Sequence, residues 1–221
     1  MTTQINIRLL FKESLQAWLA NLPVIFMLAS VSTVWQSWFF TDPEGLFVHG
    51  VDWYTLSILV IGGVLLEALY SPILHRVTLT WVSQNQHSTL DSVAYCLRHY
   101  MSFVLLYLTL TVVVTFGLIL LIVPGVIWGL KYSLISPIRV TKQLSIGETL
   151  RESARLTAGY RPLLFMLILS YCLPTFIIDW LFNDISEVVA LALNDLVRSF
   201  GSVMFALFYV KRLQIDRSVS T

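Results

Sequence analysis

Five charged or polar residues lie inside otherwise apolar stretches of the sequence, where their chemistry needs an explanation. They are Glu67, Lys131, Asn194, Asp195 and Arg198. Asp195 and Arg198 can meet on one face of a helix because they are three residues apart, and Glu67 could pair with Lys131 across neighbouring helices. Charges within hydrocarbon are costly, and they often mark proton or ion pathways. The sequence therefore indicates either a polar site for protons, ions or a lipid headgroup, or charged pairs that lock helices together.

A structural role is favoured for Lys131. If the apolar run from Met101 to Leu130 turns at Pro124, Lys131 lies about two helical turns deep, and its side chain can extend to the surface. Pro124 suits the first position of a helix. A turn at Gly117 is the alternative, and the sequence leaves both open.

No sequence motif indicates catalysis, a metal or a cofactor. The four histidines, His49, His75, His87 and His99, lie outside the predicted spans and lack the spacing of metal ligands. Cys96 and Cys172 form no redox or zinc motif. Since no nucleophile stands beside a base and no phosphate-binding loop is recognisable, we expect a protein without enzymatic activity or cofactor.

The composition predicts an all-α, polytopic membrane protein. Of 221 residues, 57% are apolar and 12% are charged, which is unusual for a soluble protein. The net charge of +1 argues against nucleic acid as a partner. Since about 20 apolar residues cross a bilayer, we predict six transmembrane helices, near residues 22–40, 53–74, 101–122, 124–138, 163–181 and 188–210.

The basic residues between these spans predict the orientation. Every Lys and Arg other than Lys131 and Arg198 falls on one side, while the opposite loops carry acidic residues such as Asp42, Glu44 and Asp184. Cytoplasmic loops are the ones enriched in Lys and Arg. Both termini are therefore expected in the cytoplasm.

Two similar segments indicate an internal repeat. Residues 13–28 read ESLQAWLANLPVIFML, and residues 152–167 read ESARLTAGYRPLLFML. Pro23 and Pro162 each stand at the cytoplasmic start of an outward span, with a short amphipathic segment before it. We interpret each segment as the bend between an interfacial helix and a span.

Helix-capping residues begin these amphipathic segments. Asn6 is a potential N-cap, and Ser88-x-x-Asp91 and Ser145-x-x-Glu148 have the spacing of capping boxes. The predicted apolar faces are Ile7, Phe11, Trp18 and Leu22; Leu90, Val93, Leu97 and Met101; and Ile146, Leu150, Ala154 and Thr157. Each helix could lie at the cytoplasmic membrane surface.

The predicted architecture is one membrane domain, 1–221, of three parallel repeat units, 6–82, 88–142 and 145–213. Each unit is an interfacial amphipathic helix followed by an out-and-back helical hairpin. The alternative is that any amphipathic segment before a span would show this pattern. Glycines at Gly62-Gly63, Gly125-x3-Gly129 and Gly201-Ser202 would permit close helix packing.

Residues 121–165 resemble a known family. Their sequence, LIVPGVIWGLKYSLISPIRVTKQLSIGETLRESARLTAGYRPLLF, is similar to the YciC-like bacterial inner-membrane proteins and to the membrane domain attached to some glycerophosphodiester phosphodiesterases. The residues that match are Pro124, Gly125, Pro137, Ser145, Glu148, Leu150 and Ser153, while Thr149 replaces the usual Ala. The resemblance implies a bacterial inner-membrane location and a six-span layout. It supplies no catalytic residues.

The favoured function is a scaffold of the bacterial envelope that binds membrane lipids, another membrane protein or a second copy of itself. Arg151, Arg155 and Arg161, on and after the third amphipathic helix, are the candidate contacts with anionic headgroups.

The alternative function is a small transporter or channel with a polar pathway through the helix bundle. Glu67, Asp195 and Arg198 would line that pathway. Their convergence on one cavity would favour transport, whereas separate local pairs would favour a scaffold.

Overall fold

Helices account for almost all of the chain in the computed structural model, which describes residues 5–40, 53–83, 88–182 and 186–220. No strand occurs in these ranges. The helices are α1 (Ile7–Ala20), α2 (Leu22–Phe40), α3 (Trp53–Val82), α4 (Thr89–Arg98), α5 (Tyr100–Leu120), α6 (Ile122–Lys131), α7 (Ile135–Thr141), α8 (Ile146–Thr157), α9 (Arg161–Phe182) and α10 (Glu187–Ser220). The predicted acidic loop residues Asp42, Glu44 and Asp184 lie outside the described residues.

The centre of the fold is α10. It packs against α1, α2, α3, α7 and α9, and the seven consecutive residues Val203–Tyr209 are all buried. A helix that is apolar all round must be surrounded by other elements. Most of the polar residues of the candidate site lie on α10 or on helices that contact it.

Membrane-length helices are confirmed, but six spans are not. Four segments are long and apolar enough to cross a bilayer: Val60–Val82, Tyr100–Leu120, Arg161–Phe182 and Glu187–Ser218. A fifth arises if α1 and the first part of α2, which meet at a 78° bend, count as one broken span. This bend is where the sequence placed it, next to Pro23. The six-span count remains a prediction.

The predicted fourth span, 124–138, is divided between two helices. α6 ends at Lys131 and α7 begins at Ile135, so neither is long enough to cross a bilayer alone. The turn between α5 and α6 falls at Leu121, whose backbone is extended (φ −164°, ψ 142°), rather than at Gly117 or Pro124. Pro124 lies in the first turn of α6, where its missing N–H leaves no helical bond unmade.

Side chains of α8 form hydrogen bonds with the backbone at the break between α6 and α7. Ser153 Oγ donates to the Lys131 carbonyl at 3.0 Å and accepts the Leu134 N–H at 3.3 Å. Thr157 Oγ1 also lies 3.2 Å from the Lys131 carbonyl. In hydrocarbon, backbone groups freed by a helix break need such partners.

α8 faces the protein mainly with small polar residues. Thr149, Ser153, Leu156 and Thr157 are buried. Of the apolar face predicted to lie in the headgroup region, Thr157 is buried, and Ile146, Leu150 and Ala154 are half-buried. Small polar residues on the buried face serve the α6–α7 break. An apolar periodicity does not reveal this role.

The predicted caps are confirmed. Asn6 accepts N–H groups at the start of α1, and both capping boxes are formed, at Ser88 and at Ser145. Ile7 and Phe11 of α1 and Leu90 and Leu97 of α4 are about half or more exposed, as helices at a membrane surface would be. The interfacial position and the threefold repeat remain predictions.

Close packing was correctly predicted at one glycine of each pair. A Cβ on Gly201 would lie 2.8 Å from the Tyr171 ring, and one on Gly62 would strike Trp35. A Cβ on Gly125 would lie 2.8 Å from the Leu118 backbone nitrogen of α5, whereas Gly63 and Gly129 have open space. The α5–α6 hairpin therefore depends on Gly125.

Alanine at the two glycines of α6 is expected to have opposite effects. Gly125→Ala should destabilise the protein by about 1–3 kcal/mol, since the backbone of α5 cannot rotate away from the new methyl group. Gly129→Ala, the matched control, should stabilise it by up to about 1 kcal/mol through helix propensity. Unfolding of the detergent-solubilised protein measures both. Equal changes would contradict the close approach at Gly125.

Candidate functional site

Asp195 joins α10 to α2. Its buried carboxylate accepts hydrogen bonds from Ser32 Oγ at 3.2 Å, Thr33 Oγ1 at 3.0 Å and Gln36 Nε2 at 3.3 Å. Ser32 and Thr33 lie four and three residues before Gln36, so each of them is a neighbour of Gln36 on the surface of α2. Since its oxygens are occupied by these donors, Asp195 mainly fixes the position of α2.

Arg198 bridges two carboxylates. Its Nη2 lies 3.1 Å from Glu67 Oε2 on α3, and its Nη1 lies 3.8 Å from Asp195 Oδ1. Asp195 and Arg198 therefore meet on one helix face, as their spacing predicted. The expected pair between Glu67 and Lys131 is not formed, because α10 supplies the cation instead.

The three residues carry a formal charge of −1 when all are ionised. One guanidinium faces two carboxylates, and a net charge surrounded by apolar helices is unfavourable. A proton or a small cation bound at the group would neutralise it. The arrangement therefore attracts positive rather than negative ligands.

Two cavities meet at this group. The first, which we call the α2 cavity, has a volume of about 160 Å³ and lies between α2, α3 and α10. Glu67, Asp195 and Arg198 all line it. Glu67 and Arg198 also line a second cavity of about 300 Å³, so their pair stands between the two spaces.

The second cavity, which we call the tyrosine cavity, has many hydroxyl groups on otherwise apolar walls. It is lined by Tyr70, Tyr107, Tyr132 and Tyr171, by Ser71, Ser133, Ser136 and Ser202, and by His75. Tyr70 Oη also donates to the Asp195 carbonyl at 3.2 Å. Hydroxyl groups thus extend from the charged residues toward His75.

His75 is the residue that sequence reasoning missed. It was expected outside the spans, but it lies buried within the membrane-length part of α3. His75 Nδ1 is 2.7 Å from Ser136 Oγ, and its buried Nε2 has no hydrogen-bond partner among the described residues. A detectable signal existed: Glu67, Ser71 and His75 recur every four residues, which places them on one face of α3.

Lys131 and Asn194 lie apart from this group. The Lys131 ammonium is 5.2 Å from the centre of the Tyr132 ring. Asn194 donates to Asp179 of α9 instead of joining the Asp195 carboxylate. The five residues of the predicted polar site are therefore reduced to Glu67, Asp195 and Arg198.

The predicted headgroup contacts differ in their surroundings. Arg151 and Arg161 are exposed, but Arg155 is held by Glu152 at 2.9 Å and by Asp216 of α10 at 2.8 Å. Glu152 also accepts from Lys142 at 2.8 Å. Arg155 thus fixes α8 against the end of α10.

Acid is expected to weaken this contact. The hydrogen bond from Arg155, together with that from Lys142, lowers the pKa of Glu152 from 4.5 to about 2. Because the folded-state pKa is the lower one, the stabilisation is complete above pH 4.5 and is lost as the pH falls toward 2. Thermal unfolding should show Glu152→Gln less stable than wild type at pH 6, with the gap closing at low pH. A gap independent of pH would contradict this assignment.

These features define an all-helical protein with several helices suited to a membrane. No protein-family model, curated protein or solved structure matches the chain. In the described ranges, no group of three or more His, Cys, Asp or Glu residues is placed to hold a metal ion. The resemblance to the YciC-like family remains a prediction.

Proposed function

We propose that the protein is a small transporter or channel of the bacterial inner membrane that moves protons or small cations. The observation that carries the proposal is the convergence of Glu67, Asp195 and Arg198 on one cavity. This convergence favours transport over separate structural pairs. Because Glu67, Asp195 and Arg198 together carry a charge of −1, they favour a positively charged ligand.

The three residues have different roles in this proposal. Asp195 is buried and satisfied by donors from α2, so it holds Arg198 and α2 in place. Glu67 is about one-third exposed, and Arg198 about one-half. Glu67 is therefore the group that a proton or cation from either cavity can reach.

The tyrosine cavity supplies the continuation of the pathway. It runs from Glu67 and Arg198 past Ser71 to His75. Chains of Glu, His and hydroxyl groups of this kind carry protons in membrane pumps and transporters. The distribution of Lys and Arg supports cytoplasmic termini, which would put His75 on the cytoplasmic side of Glu67.

A scaffold that binds lipid or a partner protein is the second candidate. The exposed Arg151 and Arg161 support contact with headgroups. The support is weaker than expected from the sequence because Arg155 is ion-paired with Glu152 and Asp216. Neither candidate requires catalysis or a cofactor.

Flux into proteoliposomes tests the proposal. The purified full chain is reconstituted, and internal pH is followed with a trapped dye after a pH gradient or a membrane potential is imposed. We expect proton entry faster than in protein-free liposomes, or faster uptake of Na⁺ or K⁺ measured with ion-selective dyes. If none of the three cations crosses faster, the protein is not a transporter of this class.

A further inference from the structure

A third cavity lies at the far end of α3 and α10 from the Glu67–Arg198 pair. It has a volume of about 480 Å³, within the range of ligand sites. Arg76 of α3 and Arg217 of α10 line it, and no acidic residue is among its lining residues. We call it the arginine cavity. Its charge is opposite to that of the Glu67 group.

Arg76 is held in place with donor capacity to spare. Its guanidinium carbon lies 3.7 Å from the centre of the Tyr95 ring, so the side chain is stacked. Its buried Nε has no hydrogen-bond partner among the described residues. A stacked guanidinium still presents its N–H groups at its edge, and a buried donor without an acceptor is unfavourable. The hydrogen-bonding capacity of Arg76 is therefore not used up within the described residues.

The hydroxyl groups of the cavity are already engaged. Thr80 donates to the Val77 carbonyl at 2.8 Å, and Ser83 donates to the Thr80 carbonyl at 3.2 Å. Tyr209 and Thr141 share a hydrogen bond of 2.7 Å. Among the lining side chains, the two arginines carry the positive charge, and their forked N–H groups match the oxygens of a phosphate.

The walls of the cavity are apolar. Leu79, Val82, Val210 and Leu213 are among the lining residues. An anionic group held by arginines beside an apolar wall suits a molecule with a charged head and a hydrocarbon chain. Basic pockets between membrane helices on the cytoplasmic side bind phospholipid headgroups in this way.

We propose that the arginine cavity binds a phosphate ester, with an anionic phospholipid as its ligand. The phosphate contacts Arg76 and Arg217, and the first part of an acyl chain lies along Leu79 and Leu213. A soluble phosphate ester has the same headgroup chemistry, and the experiment separates the two sources. The site is independent of cation transport, since it shares no residue with the α2 or tyrosine cavity.

Native mass spectrometry of the full chain in a mild neutral detergent tests this site. The protein is titrated with phosphatidylglycerol, with zwitterionic phosphatidylcholine and with glycerol phosphate. We expect phosphatidylglycerol to bind most tightly. Arg76→Gln and Arg217→Gln should each weaken its binding by about tenfold, the effect of losing one charged hydrogen bond. Arg8→Gln and Arg98→Gln are matched controls at exposed positions outside the cavity and should leave it unchanged.

The outcomes separate the possibilities. Glycerol phosphate binding as tightly as the lipid, and equally sensitive to Arg217→Gln, would keep the phosphate site and assign it to soluble esters. Equal binding of phosphatidylcholine, or equal loss in the control variants, would overturn the proposal, because general membrane affinity would then explain the binding. If Arg76→Gln does not fold, Arg217→Gln decides the result, because Arg217 is exposed near the end of α10.

Discussion

Glu67→Gln is expected to reduce proton flux in proteoliposomes nearly to the level of protein-free liposomes. Glutamine has the size of glutamate, and its amide oxygen can still accept a hydrogen bond from Arg198, so the packing of α3 against α10 is preserved. It cannot bind and release a proton, and it removes the charge that attracts a cation. The variant therefore removes the proton binding and the charge of Glu67 but keeps its contact with Arg198, in which Oε2 and Nη2 are 3.1 Å apart.

Glu187→Gln is the matched control for this experiment. Glu187 is an acidic residue in the first turn of α10 and does not line either of the two cavities at Glu67. Its variant should conduct at the wild-type rate. If Glu67→Gln also conducts at that rate in a protein that transports protons, the pathway does not pass through the Glu67–Arg198 pair.

Asp195→Ala is expected to lower the free energy of unfolding by about 1–3 kcal/mol, the range for leaving buried hydrogen-bond donors without their acceptor. The donors of Ser32, Thr33 and Gln36 would lose their acceptor, and Arg198 would lose one of its two carboxylates. Asp195→Asn should cost less, because its amide oxygen can still accept from Thr33. Unfolding of the solubilised protein by heat or by denaturing detergent, followed through tryptophan fluorescence, measures the loss.

Asp179→Ala provides the comparison for Asp195. Asp179 is exposed on α9 and bonds to Asn194, so its removal should change stability by less than about 1 kcal/mol. Similar losses in the two variants would mean that the Asp195 network does not hold α2 against α10.

Local features of the fold were readable from the sequence. The caps at Asn6, Ser88 and Ser145 each depend on groups two or three residues apart, and so does the contact between Asp195 and Arg198. Such interactions are encoded within one helical turn. The bend beside Pro23 was predictable for the same reason.

Contacts between helices were less readable. The partner of Glu67 was predicted wrongly because hydropathy gives the length of a span but not its neighbours. The break after Lys131 was missed because the span was extended by mean hydropathy to Ile138, although Ser133, Ser136 and Pro137 interrupt the apolar run. His75 was missed because a boundary placed at residue 74 excluded it from the span. The four-residue spacing from Glu67 would have corrected that boundary.

The hydrogen bonds at the α6–α7 break cannot form until α8 has been synthesised, because Ser153 supplies them. The backbone groups of Lys131 and Leu134 leave the ribosome about 20 residues before Ser153 does, a delay of a few seconds at ordinary rates of translation. During that interval their partner in the finished protein does not exist. The α6–α7 break would therefore stay unbonded until α8 arrives, and the earlier helices would gain their contacts with α10 only later. A chain released before Ser153 would lack the group that bonds both sides of the break.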